Sequence, residues 1–257
     1  EFDSTLNAVA AEPAWSGSVH VPRLDEMAEL LPSTSMKEPA APPSVKPSGT
    51  ASDVPQGVPK SRPVEETESY NIQNLVKHQL SKKGFGIQVG YKIGCTTPVM
   101  QKYLNIHNPC AGVIFESTAH ENFGQTKHSD YQYPGVECEI AVSLTKDMTE
   151  RNVPYTENSV IEYVEAVMAA IEVVDDRWDD YHSVTTPTLI ADNFFGAGCI
   201  LGNKYKITEL NLNSIKGFMK INNKIVGSGT GEDIMGNPLK ALAWLANLNL
   251  NLGTPLK

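Results

Sequence analysis

Ten of the 17 prolines in this 257-residue chain fall before residue 65, which divides it into two parts that cannot share one architecture. Proline fixes φ and carries no backbone N–H, so a dense series of prolines cannot run through helices or the interior of a sheet. From Ser35 to Pro63 the sequence is rich in Pro, Ser, Ala and Lys and nearly lacks large apolar side chains. Such a stretch buries too little surface to offset its ordering entropy, so residues 1–65 read as a largely disordered, Pro-rich N-terminal extension. One short helix, Arg23–Leu31, is expected inside it, closed by Pro32.

Residues 66–257 carry the patterns of a folded domain. Helices are expected over 66–82, from Pro98 through Leu104, over 157–173 and over 238–246. Strands are expected over 86–93, 112–116, 134–145, 189–191, 198–201, 217–222 and 224–228, with Asn222-Asn223 as a hairpin turn. Without regular βαβ alternation, this mixture predicts an α+β fold with a mixed, mostly antiparallel sheet and flanking helices.

Composition removes several function classes. A net charge of −9 argues against a nucleic-acid surface, and the short basic tract Lys77, Lys82, Lys83 reads as a solvated helix end. No apolar run approaches the roughly 20 residues of a membrane helix. Glu1 to Trp15 show no signal-peptide pattern. Cys95, Cys110, Cys138 and Cys199 are scattered singly, as expected of reduced thiols in a cytoplasmic protein. His107, His120, His128 and His182 lack HExxH spacing, and Gly229-Thr230-Gly231 lacks the GK[ST] ending of a phosphate loop.

The informative segment is Pro134-Gly135-Val136-Glu137-Cys138-Glu139-Ile140-Ala141-Val142. Strand residues two apart share a face, so Glu137 and Glu139 sit side by side while Cys138, Ile140 and Val142 take the other face. Two readings fit: a solvated acidic face, or a pair of ligands for a hard cation such as Mg²⁺ or Mn²⁺. Glu172 lies inside an apolar run, followed by Asp175 and Arg177 as a possible pair. Lys92 interrupts an apolar strand between Gly90 and Gly94, where it either snorkels to the surface or serves a carboxylate substrate or a proton transfer.

Five segments in order, GYKIGCTTPVMQKYL, PGVECEIAV, AAIEVVDDRW, ADNFFGAG and GTGEDIMGNPLKALAWLAN, resemble the hydratase/decarboxylase family. It comprises 2-oxopent-4-enoate hydratases and 4-oxalocrotonate decarboxylases and is related to the fumarylacetoacetate hydrolases. The resemblance covers residues 66–257 and implies a barrel-like sheet core. It also implies Glu137, Glu139 and Glu172 as ligands of Mg²⁺ or Mn²⁺. Lys92, Asp192 and Asn193 are implied as catalytic, and Thr96, Thr97, Asp175 and Gly231 as substrate-binding.

The implied ligand is a small 2-oxo or 2-hydroxy acid chelated through its carboxylate and 2-oxygen, with the cation as Lewis acid. The same ligands serve hydration and decarboxylation, so they do not separate the two reactions. A homo-oligomer and a hydratase–decarboxylase complex are also implied. Two departures stand out. Cys110 occupies a position where many hydratases carry Asp, and the family continues past Lys257 with a Gly-Asp turn and a final strand, so the domain reads as shortened at its C-terminus. A fumarylacetoacetate-hydrolase-like C–C hydrolase and a non-catalytic partner subunit are the competing readings.

Overall fold

The computed structural model describes residues 5–9, 62–149 and 152–257. The helix expected over Arg23–Leu31 and the Pro-rich stretch that follows, up to residue 61, lie outside these residues. Helix α1 spans Glu66–Leu80. It carries Glu66 and Glu68 in its first turn and Lys77 and His78 in its last, matching the helix dipole. A wider turn over Ser81–Phe85 follows, and left-handed Gly84 (φ 98°) and Gly86 (φ 80°) turn the chain into a strand.

Nine strands form three sheets among the described residues. Strand β1 (Thr5–Val9) runs parallel to β8 (Lys216–Ile221), which pairs antiparallel with β9 (Lys224–Thr230). Strands β2 (Gln88–Gly94) and β3 (Cys110–Phe115) form an antiparallel pair. The largest sheet has the order β4-β7-β6-β5, from β4 (Ala119–Glu121), β5 (Pro134–Leu144), β6 (Val164–Asp175) and β7 (Gly196–Leu201). The fold is α+β with a mixed, mostly antiparallel sheet system, as the sequence predicted. Asn222 and Asn223 both adopt positive φ (49° and 61°), the backbone of a two-residue hairpin turn.

Two expected elements differ. Of the segment predicted as a helix over 157–173, only a single 3-10 turn at Ile161–Tyr163 is helical, and the rest from Val164 belongs to the long strand β6. Its Val-, Ala- and Ile-rich run is buried on both faces between β5 and β7, and such a strand shows no period-2 alternation. Leu189–Ala191, expected as a strand, closes the short helix α3 (Thr186–Ala191), with Pro187 in its first turn.

Helix α2 (Pro98–Leu104) starts at Thr97, whose hydroxyl accepts from Met100 N–H at 3.2 Å. Helix α4 (Pro238–Asn251) starts at Asn237, which accepts from Leu239 N–H at 2.8 Å. Leu239, Leu242, Leu245 and Ala246 of α4 join Val160, Val167, Leu189 and Ile190 in the main core. Each of these Leu, Ile and Val side chains stabilises the fold by about 2 kcal/mol through burial. Two side chains of α1 fasten this core to the β2–β3 pair. Buried Gln73 donates to the carbonyls of Ala111 (2.9 Å) and Ile190 (2.7 Å), and Tyr70 accepts from Ala111 N–H at 3.0 Å.

Candidate metal centre

Three carboxylates from two strands converge. Glu137 and Glu139 share one face of β5, and Glu137 lies directly opposite Glu172 of β6 in the antiparallel register. Glu139 lies opposite Ala170, whose small side chain leaves room. One oxygen from each of Glu137, Glu139 and Glu172 lies within 4.8 Å of the others, the only such acidic, His or Cys group among the described residues.

Lys92 reaches the same point from β2. Its Nζ lies 2.7 Å from Glu172 Oε1 and donates to Phe194 O at 2.8 Å. Both Lys92 and Glu172 are buried, at 8% and 7% exposure. Their contact is a buried ion pair, and Glu172 Oε1 makes no further hydrogen bond to the protein. Glycines make room for the lysine. A Cβ at Gly112 would stand 2.8 Å from Asn193 O and 3.0 Å from Lys92 Cγ, and one at Gly94 would enter the Phe194 ring.

The cluster holds three acids and one ammonium, a formal charge of −2. Burial would lower the Lys92 affinity for its proton, but Glu172, Glu137 and Glu139 outweigh burial and hold it charged. Glu139 retains some open surface toward the cavity yet is enclosed by protein. That desolvation, with Glu137 and Glu172 beside it, pushes its carboxyl well above the usual range. Burial raises Glu172 to about 7, against the opposing pull of Lys92. Oxygen donors carrying an excess charge of −2 fit a hard divalent cation.

Two cavities, about 920 and 900 Å³, meet here and share Lys92, Thr96, Glu139 and Ile234 in their walls. The first also receives Glu172, Asp192 and Asn193, and the second receives Glu137, Thr97 and Gly231.

The other expected site residues are engaged differently. Asp175 Oδ1 accepts from Gln132 and Tyr133 N–H, both at 2.9 Å, and so fixes the loop entering β5. It does not pair with Arg177, as its position in the sequence had suggested. Arg177 Nε instead meets Asp192 Oδ2 at 3.1 Å, and its Nη2 donates to Asp192 O at 2.8 Å. Asn193 is buried with its amide on the Val113 backbone, accepting from N–H at 2.7 Å and donating to O at 3.0 Å. Thr97 caps α2. Gly231 packs so closely on Leu212 O that no side chain fits. Cys110, fully buried, has its thiol pushed up by desolvation, so it is a neutral group and no substitute for a carboxylate.

Phe194 and Gln73 escape a sequence reading. Phe194 acts through its carbonyl, and its presentation depends on positive φ at Asn193, Phe194 and Phe195 (65°, 45° and 61°), costing about 1 kcal/mol or more each. Neither feature has a sequence signature, although the run ADNFFGAG places two bulky aromatics at an abrupt turn.

The chain is 34% identical over 194 residues to a 2-keto-4-pentenoate hydratase of Burkholderia vietnamiensis, covering 75% of this chain and 72% of that protein. The chain belongs to the hydratase/decarboxylase family. A 4-oxalocrotonate decarboxylase from a Pseudomonas species is 30% identical over 190 residues, covering 74% of this chain and 72% of that one. No family model matches. The family's fold is present as well. The 4-oxalocrotonate decarboxylase of Pseudomonas putida G7, complexed with magnesium and adipate, superposes with a TM-score of 0.68 at 23% identity, covering 75% of this chain and 72% of that one. Among the described residues, no helix is long and apolar enough to cross a membrane.

Proposed function

We propose that this member of the hydratase/decarboxylase family is a divalent-metal-dependent lyase. It hydrates 2-hydroxypenta-2,4-dienoate to 4-hydroxy-2-oxopentanoate in the meta-cleavage catabolism of aromatic compounds. The observation that carries this reading is the meeting of Glu137, Glu139 and Glu172 with the buried ammonium of Lys92.

The three glutamates would hold Mg²⁺ or Mn²⁺, which supplies Lewis-acid stabilisation of negative charge on the oxygens of a 2-oxo or 2-hydroxy acid. The protein's own residues do the rest. Lys92, held charged, donates or relays a proton at Nζ. Thr96, in the wall of both cavities, orients the substrate. The apolar walls exclude bulk water. Asp192 and Arg177 brace the pocket as an ion pair.

Hydration is favoured over decarboxylation by one feature. In the cavity that holds Glu139 and Glu172, the cations in the wall are buried Lys92, partly exposed Arg177 and exposed Lys257. Lys92 is taken by Glu172 and Phe194, and Arg177 by Asp192. Neither of these is free for a second substrate carboxylate, and Lys257 is exposed to solvent, so a monocarboxylate fits better than the dicarboxylate 4-oxalocrotonate. Residues 66–257 form the catalytic unit and residues 1–65 an extension of it. The active form is a cytoplasmic homo-oligomer, able to associate with a decarboxylase partner.

The test is incubation with 2-hydroxypenta-2,4-dienoate or 4-oxalocrotonate in Mg²⁺ or Mn²⁺, following dienol absorbance and CO₂. Loss of the dienol without CO₂ is expected. CO₂ from oxalocrotonate, or no turnover of either compound, overturns hydration as the reaction.

A further inference from the structure

We infer that Asn193 is a positioning residue: it locks a left-handed turn whose Phe194 carbonyl aims the Lys92 ammonium at the carboxylate cluster. This rests on the functional reading above and adds a device to it.

Three adjacent residues, Asn193, Phe194 and Phe195, hold positive φ. Asparagine tolerates that region, whereas two consecutive phenylalanines do not adopt it unless their surroundings impose it. The imposition is visible. Asn193 is 8% exposed, and its side-chain amide makes two hydrogen bonds to the Val113 backbone on β3. The main chain adds Phe194 N–H to Leu189 O (2.8 Å), Gly196 N–H to Asn193 O (2.9 Å) and Asp175 N–H to Phe195 O (2.8 Å). The turn is thereby fixed to α3, β3 and β6 at once.

What this geometry presents is one group, Phe194 O, at 2.8 Å from Lys92 Nζ. The Phe194 ring centroid lies 5.3 Å from the same nitrogen. The lysine is therefore held between Glu172 on one strand and the turn on the other side. The lysine stem also packs against the turn. A Cβ at Gly196 would stand 3.1 Å from Asn193 Nδ2 and Asn193 O and 3.2 Å from Lys92 Cδ. Since Val113 follows Gly112, the register partner of Lys92, the amide ties the turn to the strand beside the lysine's own. Asn193 itself contacts Val113 and not the carboxylates, so its influence on the reaction passes through Phe194 and Lys92.

The test compares three single substitutions in the full chain. Asn193→Gly keeps the left-handed backbone accessible and removes the amide. Gly196→Ala presses on the turn from its other side. Val160→Ala removes core packing away from both cavities and controls for lost stability. Two readouts apply: steady-state hydration with Mg²⁺, and acetic anhydride labelling of Lys92 relative to exposed Lys204, without added metal and read by mass spectrometry.

Asn193→Gly should lower kcat by about tenfold or more with KM little changed, because a displaced proton donor weakens the reacting geometry rather than binding. Lys92 should label several times faster in that variant, roughly in step with the loss of its fixed position. Gly196→Ala should move both readouts the same way by less, and it carries the test if Asn193→Gly does not fold. Wild-type kcat and labelling in Asn193→Gly overturn the inference, as does an equal response from Val160→Ala. A wild-type chain that turns over no 2-hydroxydienoate sinks the functional reading instead, and the labelling contrast then decides the positioning role alone.

Discussion

Glu137 and Glu172 face each other directly across the β5–β6 ladder. Like charges opposite one another destabilise an antiparallel pair, so this juxtaposition works against folding unless something compensates. Lys92 offsets one charge, and a divalent cation is suited to offset the remaining two. The proposed metal centre would thus be written into a strand register that costs stability without the metal.

Glu139→Gln should show this. Glu139 is pushed well above the usual range by burial and by Glu137 and Glu172, so it opposes folding in its charged form. The neutral, isosteric amide should leave the metal-free protein at least as stable as wild type. The rise in thermal midpoint with Mg²⁺ should disappear, although a tight ligand at 100 times its Kd would contribute about 2.7 kcal/mol. Turnover should fall by about a hundredfold or more, as expected when charge stabilisation at a reacting centre is removed. A calorimetric scan with and without metal checks the first two points.

The pH dependence follows from the same group of charges. Glu172 titrates at about 7 in the fold, against 4.5 for an ordinary glutamate. A raised folded value favours the protonated folded state, so its stabilising effect is full below 4.5 and is lost as pH rises through about 7. The metal-free midpoint should therefore fall between those limits. Divalent ions require the carboxylate, so the stabilisation by Mg²⁺ should grow over the same window. Midpoints measured across it, with EDTA and with Mg²⁺, should diverge as pH rises.

Much of this centre was legible in the sequence, for reasons that can be located. The i, i+2 spacing of Glu137 and Glu139 fixes a shared face once β5 is a strand. Glu172 was not legible from periodicity. Its segment is apolar on both faces and suggested a helix, and only the pairing of β6 with β5 sets it opposite Glu137. The Asp175–Arg177 pairing failed because strand β6 ends at Asp175, and Arg177, beyond it, turns to Asp192. The Phe194 carbonyl was invisible for a deeper reason. A main-chain group has no letter in the sequence, and its aim depends on contacts from three other elements.

Lys92→Met separates holding charge from moving protons. The substitution keeps most of the buried stem and removes the only cation paired with the cluster among the described residues. The three carboxylates are then left with a formal −3, so Mg²⁺ or Mn²⁺ should bind at least as tightly, measured by titration calorimetry. Turnover should nonetheless fall by about 10²-fold or more, the usual worth of a positioned general acid or base. Retained turnover would remove Lys92 from the chemistry and leave it as a counter-charge.

Gly112→Ala asks whether space alone can disable the centre. Gly112 pairs with Lys92 in the β2–β3 register and carries no charge or hydrogen-bonding side chain. A methyl group there would sit 2.8 Å from the Asn193 carbonyl oxygen and 3.0 Å from Lys92 Cγ. The first is main chain in a turn fixed by three elements, so it cannot yield easily, and the second belongs to a buried lysine held at its far end. Overpacking of this kind typically costs about 1–3 kcal/mol. The strain falls on the two groups that must stay aligned, so kcat should drop by roughly tenfold or more even where the protein stays folded. Circular dichroism would establish the fold and steady-state kinetics the loss. An alanine variant with full activity would show that Lys92 and the Asn193 turn have more freedom than their packing allows.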